Sequence, residues 1–177
     1  WAERATPTSW HPHHIAERYG LLTLIVLGES ILAATLAVEA ALSASTTLTS
    51  LAPVIIGGLL IVYAMWWLYF DRPAHDLLTN LRKALFWGYG HYLVFAATAA
   101  VGAGLAVAVD QATQHASVSA TVAGAAVAIP VAVFLCALWV LHARPADHRT
   151  RLLAPFAAVL VLVAPFTEVA SSEARNA

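Results

Sequence analysis

Two ionisable residues stand inside apolar stretches, where such side chains do chemistry or bind other polar groups. Glu29 lies ten residues into an apolar run that begins at Tyr19, and His91 lies seven residues into another that begins at Ala84. In a membrane-spanning helix Glu29 would be about 15 Å deep, near the midplane of a ~30 Å hydrocarbon core. A charge at that depth costs about 2.5–3.5 kcal/mol, so Glu29 must be protonated, paired or in contact with water.

Glu29 belongs to a polar stripe that the helical period places on one side of the first apolar run. At about 100° per residue, the members of the stripe fall within a sector of roughly 120°. They are His14, Glu17, Arg18, Gly28, Glu29 and Glu39. The pattern leaves two interpretations open: the stripe lines a path for protons, ions or a small solute, or Glu29 binds a neighbouring helix and only fixes packing.

The remaining polar residues near the apolar runs each have a functional and a structural interpretation. His91 can carry a proton near neutral pH, or it can be a hydrogen-bond partner between helices. Asp71 ends the second run as a boundary charge or as a gate. Glu17 and Arg18 either form ion pairs at the membrane edge, or Glu17 joins a metal site.

The histidines of such a metal site would be His11, His13 and His14. Their spacing lacks the H-E-x-x-H pattern of helical zinc sites, and Pro12 interrupts a helix through His11. The sequence also contains no nucleotide-binding loop and no other cofactor motif. We therefore expect no metal and no cofactor.

The composition indicates an integral membrane protein. Apolar residues make up 60% of the 177 residues and charged residues 11%, whereas soluble domains carry about 25% charged residues. The mean hydropathy is +0.75. A net charge of −1 offers no basic surface to nucleic acid, and a single cysteine excludes a disulfide within the chain.

Five apolar stretches reach the length of about 20 residues that a helix needs to cross a bilayer. We therefore predict an all-α fold, a polytopic transmembrane helix bundle of about five spans. A cytoplasmic or juxtamembrane segment (1–18) precedes the spans, and a polar tail (171–177) follows them. The predicted spans are 19–42, 51–70, 84–109, 117–141 and 152–170.

The placement of charged and aromatic residues predicts the orientation of the bundle. With five spans, eight of the nine Lys and Arg residues fall on one side, and only Arg175 falls on the other. Positive charges collect on the cytoplasmic side, so the N-terminus is expected inside and the C-terminus outside. Seven aromatic residues near the inner helix ends predict an interfacial belt: Trp10, Trp66, Trp67, Tyr69, Trp87, Tyr89 and Trp139.

Three segments resemble, in order, the motifs of a known family. Residues 13–30 read HHIAERYGLLTLIVLGES, which closely resembles the HxxERxGLxxIIxLGE signature of the bacterial low temperature requirement protein A (LtrA) family. WWLYFD (66–71) and WGYGHYLVF (87–95) are similar to the family's next two segments. The matching positions are His14, Glu17, Arg18, Gly20, Gly28, Glu29, Trp67, Tyr69, Phe70, Asp71 and His91.

The resemblance implies a multi-pass protein of the bacterial cytoplasmic (inner) membrane, with the lipid bilayer as its surroundings. Members of the family are roughly twice as long, and their N-terminal half carries an acidic ELFFDLVFV-type segment that is absent here. The chain is thus expected to be a C-terminal half, with the missing N-terminal half as a partner. A homo-oligomer is a further arrangement to consider, and nucleic acid is not an expected partner.

Three functions remain open at this point. The first is a transporter that moves protons, ions or a small solute along the stripe. The second is a structural or membrane-adaptation protein whose polar groups lock helices together. The third is an intramembrane enzyme acting on a lipid, for which the sequence offers Glu29, His91 and the histidines between 11 and 14 but no evident nucleophile.

Overall fold

Helices make up nearly all of the described chain. The computed structural model describes residues 11–44, 46–71, 74–113, 117–142 and 157–161, and no strand occurs in these ranges. The four long helices are α1 (Pro12–Ser43), α2 (Leu48–Phe70), α3 (Leu81–Ala112) and α4 (Ala120–His142), with a 3₁₀ turn (His75–Leu77) between α2 and α3. The predicted all-α class is confirmed.

Each of the four helices is long and apolar enough to cross a membrane. The first three predicted spans lie inside α1, α2 and α3, while α4 begins three residues after the predicted start of the fourth span. The first helix begins at Pro12 and so includes the end of the predicted juxtamembrane segment. The fifth predicted span lies mostly outside the described residues; within it, residues 157–161 are helical and Ala158 is buried. The polar tail lies outside them entirely.

The helix starts follow from local chemistry. Pro12 occupies the first turn of α1, where its missing N–H leaves no hydrogen bond unmade. The side chain of Asn80 accepts a hydrogen bond from the backbone N–H of Lys83 at 2.9 Å, which caps the start of α3. These two helices reach 32 residues each, about 48 Å by helical rise, and are longer than the hydrocarbon core.

The third helix is the centre of the bundle. It packs extensively against α4 and α1, and less against α2. Its small residues permit this close packing: a Cβ atom on Gly102 would lie 2.8 Å from the Cα of Ser30, and one on Gly104 would overlap the carbonyl of Ala126. Within a membrane such small residues let helix backbones approach and gain van der Waals contact.

The first helix is the least buried of the four. The buried side of α1 carries Gly20, Thr23, Leu27 and Ser30. Ser30 packs on α3 beside Gly102, whereas Gly20 faces Phe70 of α2. The opposite side exposes large apolar side chains along its length. Because the bilayer interior is itself apolar, such a surface is compatible with lipid. The polar residues of α1 must therefore be considered against a surface that would otherwise face lipid.

Candidate functional site

His91 is fully buried, and both of its ring nitrogens have partners. Nδ1 lies 2.7 Å from the carbonyl oxygen of Trp87, and Nε2 lies 3.0 Å from the hydroxyl oxygen of Tyr69. A carbonyl oxygen only accepts hydrogen bonds, so we assign the ring proton to Nδ1, and the Tyr69 hydroxyl then donates to Nε2. Both ring nitrogens of a neutral imidazole therefore have a hydrogen-bond partner.

Aromatic rings from several helices enclose His91. The centroid of its ring lies 3.9 Å from that of Trp87, 4.9 Å from that of Tyr19 and 5.8 Å from that of Tyr69. Tyr19 belongs to α1 and Tyr69 to α2, while His142 of α4 lies 6.4 Å away. We call these five residues the His91 cluster. It joins four helices through ring packing and hydrogen bonds.

A second polar contact joins α1 to α3. The Oγ of Ser30 donates to the carbonyl oxygen of Thr98 at 2.8 Å and also lies 3.0 Å from the carbonyl oxygen of Val26. Thr98 in turn donates its own hydroxyl to the carbonyl oxygen of Val94 at 2.7 Å. Gly102 lies beside Ser30 and leaves room for its backbone. This crossing fixes the rotation of α1, because Ser30 must face α3.

Glu29 is exposed on the side of α1 that faces away from α3. It lies near the midpoint of the helix, and within the described ranges it makes no hydrogen bond or ion pair. The adjacent Gly28 is also exposed, and a Cβ atom placed on it would have no neighbour within 4 Å. An uncovered carboxyl thus lies at mid-helix with open space beside it.

The structure does not bring Glu29 and His91 together. His91 packs against Tyr19, whereas Glu29 lies ten residues further along α1, about 15 Å by helical rise. The two residues also face different ways, since His91 points into the bundle and Glu29 away from it. Any proton path through Glu29 is therefore separate from the His91 cluster.

The other predicted site residues lie at helix ends. His14, Glu17 and Arg18 are exposed at the start of α1, and Nδ1 of His14 lies 3.7 Å from a carboxylate oxygen of Glu17. Asp71 is exposed at the end of α2, where its N–H donates to the carbonyl oxygen of Trp67 at 2.9 Å.

The histidines considered as metal ligands form two separate ring pairs and do not surround one point. The ring of His11 packs edge to face with that of His14 at 5.6 Å between centroids, whereas the ring of His13 stacks on that of His75 at 3.9 Å. Within the described ranges, no group of three or more His, Cys, Asp or Glu residues is placed to hold a metal ion.

Tyr69 and Trp87 are partners of His91 and do not belong to the predicted interfacial aromatic belt. Their assignment to the belt is wrong because Tyr69 is 6% exposed and Trp87 2% exposed. Trp66, Trp67 and Tyr89 are exposed, as a belt requires. The four-residue spacing between Trp87 and His91 was a usable signal, since residues at that spacing share one face of a helix.

Comparison with protein families gives a match over nearly the whole chain. The matching family model is described as Bacterial low temperature requirement A protein (LtrA), and it covers residues 1–174. No curated protein and no solved structure matches the chain. The match extends well past the three motifs that carried the resemblance and includes the fourth helix.

Proposed function

This chain belongs to the bacterial low temperature requirement A family of membrane proteins, and we propose that it moves protons or other small ions across the bacterial inner membrane through a site centred on Glu29. The observation that carries the proposal is the exposed carboxyl at the midpoint of a spanning helix. Ionisable residues in such positions mark ion pathways and proton relays, because their desolvation is too costly for a side chain without a function.

The spacing of charges along α1 supports the assigned depth. Arg18 and Glu39 are both exposed and lie eleven residues before and ten residues after Glu29. At 1.5 Å per residue the two outer charges are about 32 Å apart, close to the ~30 Å thickness of the hydrocarbon core. When both outer side chains reach the membrane surfaces, Glu29 lies at the midplane.

The chemistry at Glu29 is reversible binding of a proton or cation. A carboxylate accepts a proton or binds a cation that arrives from one side, and releases it to the other side once access changes. Gly28 supports this role because it leaves the carboxyl uncovered on one side. His91 has a different role in this proposal: it holds α1, α2 and α3 together, since its ring is enclosed and both nitrogens are bonded.

The test is ion flux into proteoliposomes that contain the full-length protein, read with an internal pH dye under an imposed proton gradient. We expect flux from the wild type and none from Glu29→Gln, because the amide binds hydrogen-bond partners but no proton. Asp110→Asn is the matched control, since it makes the same change in an exposed acid at the end of α3 and should retain flux. Wild-type flux from Glu29→Gln would contradict the proposal.

A structural or membrane-adaptation role is the second candidate, and the interior polar contacts favour it. Both nitrogens of His91 and the hydroxyls of Ser30 and Thr98 are all bonded within the bundle. If this role is the main one, the wild type carries no flux under any imposed gradient, and Ser30→Ala, which removes the hydrogen bond to the carbonyl of Thr98, lowers the thermal stability of the protein in detergent. The same proteoliposome and stability measurements separate the two candidates.

A further inference from the structure

A lateral cavity lies between α1, α2 and α3, in the half of the bundle next to the connection from α1 to α2. Its volume is about 220 Å³. Gly58, Val62 and Leu105 line its inner part and are buried. Ile31 and Leu59 also line it and are exposed. The cavity therefore has a closed floor between the helices and opens at the side of the bundle, where a membrane protein meets lipid.

The cavity offers no binding group to water or to a polar ligand. Among the described residues that line it, Thr35 alone has a polar side chain, and its hydroxyl already donates to the carbonyl oxygen of Ile31 at 2.8 Å. A buried water needs two to four polar partners, and an apolar cavity of about 150 Å³ stays dry and binds small apolar molecules. The cavity in this bundle is larger and equally apolar, so its occupant is apolar.

Both ends of the cavity along the helix axes are closed. Towards the membrane surface, Ala41, Leu51 and Val109 are buried and pack together. Towards the midplane, Leu27 and Val62 belong to the main buried cluster of the bundle. A partner helix is about 10 Å across and needs a groove that continues along its length, so a cavity closed at both ends does not admit one. This shape admits a narrow, flexible chain that enters from the side.

The membrane surface next to the cavity is acidic. Glu39 and Asp110 each follow a lining residue by one position, and both are exposed. The sequence has no Lys or Arg between residues 19 and 71 or between residues 84 and 143, so the connections from α1 to α2 and from α3 to α4 carry no such residue. Anionic headgroups are recognised by Lys and Arg and have no partner here. An ammonium group instead forms charge-assisted hydrogen bonds with carboxylates.

We propose that the cavity binds one acyl chain of a phospholipid whose headgroup carries a primary amine, as in phosphatidylethanolamine. The chain enters between α1 and α2, and the amine lies at the surface with Glu39 and Asp110. The depth of the cavity fits one leaflet. Ile31 and Glu39 are about 12 Å apart by helical rise, within the ~15 Å that acyl chains of one leaflet occupy.

This inference does not depend on the ion path proposed at Glu29. Ala34 and Val38 line the cavity, and the helical period places them about 140° and 180° from Glu29 around α1. A lipid chain on that side leaves Glu29 uncovered. The bound chain would fill the gap beside α2, which packs less closely on α3 than α1 and α4 do. The lipid site and the ion path can therefore fail separately.

The experiment is photolabelling of the full-length protein in detergent with an equimolar amount of phosphatidylethanolamine that carries a diazirine on one acyl chain. Bulk lipid is absent, so the label reports only retained lipid. We expect the label within residues 31–38 of α1 and 54–62 of α2, mapped by mass spectrometry of peptides. Labelling spread evenly over the exposed sides of the helices, or no labelling, would overturn the acyl-chain site.

The headgroup is tested with a phosphatidylglycerol that carries the same diazirine chain. The wild type should be labelled about tenfold less by this anionic lipid, because it lacks the ammonium group that hydrogen-bonds to a carboxylate. Glu39→Gln with Asp110→Asn should remove the difference between the two lipids. Equal labelling of the wild type by both lipids would overturn the assignment of an amine headgroup.

The cavity itself is tested with a matched pair of variants. Ala34 lines the cavity, and the adjacent Ala33 is exposed outside it. Ala34→Leu fills part of the cavity and should lower labelling about tenfold, as the loss of about two buried methylene groups would. Ala33→Leu makes the same change and should be labelled like the wild type. Equal labelling of the two variants would overturn the proposal.

Melting temperatures in lipid-free detergent check that the variants are folded. Filling a cavity commonly stabilises a protein, so Ala34→Leu should melt no lower than Ala33→Leu. Ala34→Val is a milder filling of the same space, and its labelling should lie between those of the wild type and Ala34→Leu. A folded Ala34→Val protein labelled as strongly as the wild type, beside a destabilised Ala34→Leu, would count against the site.

Discussion

His91 and Glu29 are both ionisable and both belong to membrane-spanning helices, yet their surroundings are opposite. His91 is fully buried, with hydrogen bonds to the Tyr69 hydroxyl and the Trp87 carbonyl. Glu29 is exposed, with no hydrogen bond or ion pair in the described part of the chain. A satisfied interior histidine stabilises a fold, whereas an uncovered carboxyl in the same membrane requires a function or a partner.

The stabilising role of the His91 cluster can be tested at Tyr69. Tyr69→Phe removes the hydroxyl that donates to Nε2 of His91 and leaves a buried acceptor without its partner. The expected loss of stability is about 1–3 kcal/mol, seen as a lower melting temperature in detergent. Tyr63→Phe is the matched control, because Tyr63 lies on the same helix and is 58% exposed. Equal melting temperatures for the two variants would argue against the role assigned to His91.

At the scale of elements, the crossing of α1 and α3 decides which way Glu29 faces. Ser30 donates to the carbonyl of Thr98, and Gly102 makes room for the backbone of α1 at the same level. Because neighbouring residues of a helix are rotated by about 100°, a side chain next to Ser30 cannot share its contact with α3. Because Ser30 packs on Thr98, the adjacent Glu29 lies on the outer surface of α1.

This crossing should be sensitive to a single methyl group. In Gly102→Ala, the added Cβ would lie 2.8 Å from the Cα of Ser30, so the helices must separate and the hydrogen bond from Ser30 to Thr98 must lengthen. We expect a destabilisation of about 1–3 kcal/mol, measured by thermal unfolding in detergent. Gly57→Ala is the control, since a Cβ there meets nothing within 4 Å. A Gly102→Ala protein as stable as the control would show that α1 and α3 do not pack as described.

At the scale of the whole molecule, the bundle is organised around α3, with α1 as its least buried helix. The helices that contact α3 most, α1 and α4, bury small residues against it, while their outer sides expose Leu, Ile and Val side chains. A membrane protein packs by close contact of small residues rather than by burying apolar area, since lipid is as apolar as leucine. The exposed side of α1 is therefore available to a partner without loss of the core.

The orientation of the bundle remains a prediction, and the connections between helices allow a direct test. In a background without native cysteines, Ala44→Cys marks the connection from α1 to α2, and Thr79→Cys marks the connection from α2 to α3; both residues are exposed. The charge distribution predicts that Ala44 faces outside and Thr79 faces the cytoplasm. A membrane-impermeant maleimide should label Ala44→Cys in intact cells and Thr79→Cys only after permeabilisation. The reverse labelling pattern would show that the orientation is opposite to the predicted one.

The fold class could be predicted from composition and hydropathy alone. Apolar runs of spanning length can form only helices that satisfy their own backbone in lipid, so the all-α bundle followed from length and hydropathy alone. The position of Glu29 ten residues into its run is also visible in the sequence, and helical rise converts it into a predicted depth of about 15 Å. The family resemblance followed from the local motif at residues 13–30.

Which of these residues meet depends on the contacts between helices. Helical phase groups residues on one side of α1, but the side that packs is chosen by contacts with other helices, here by Ser30 on Thr98 and by the fit at Gly102. The same contacts bury Tyr69 and Trp87 around His91 and leave Glu29 outside. The period of one helix carries no information about which of its residues meet another helix, so the contact of His91 with Tyr19 rather than with Glu29 appears only in the folded bundle.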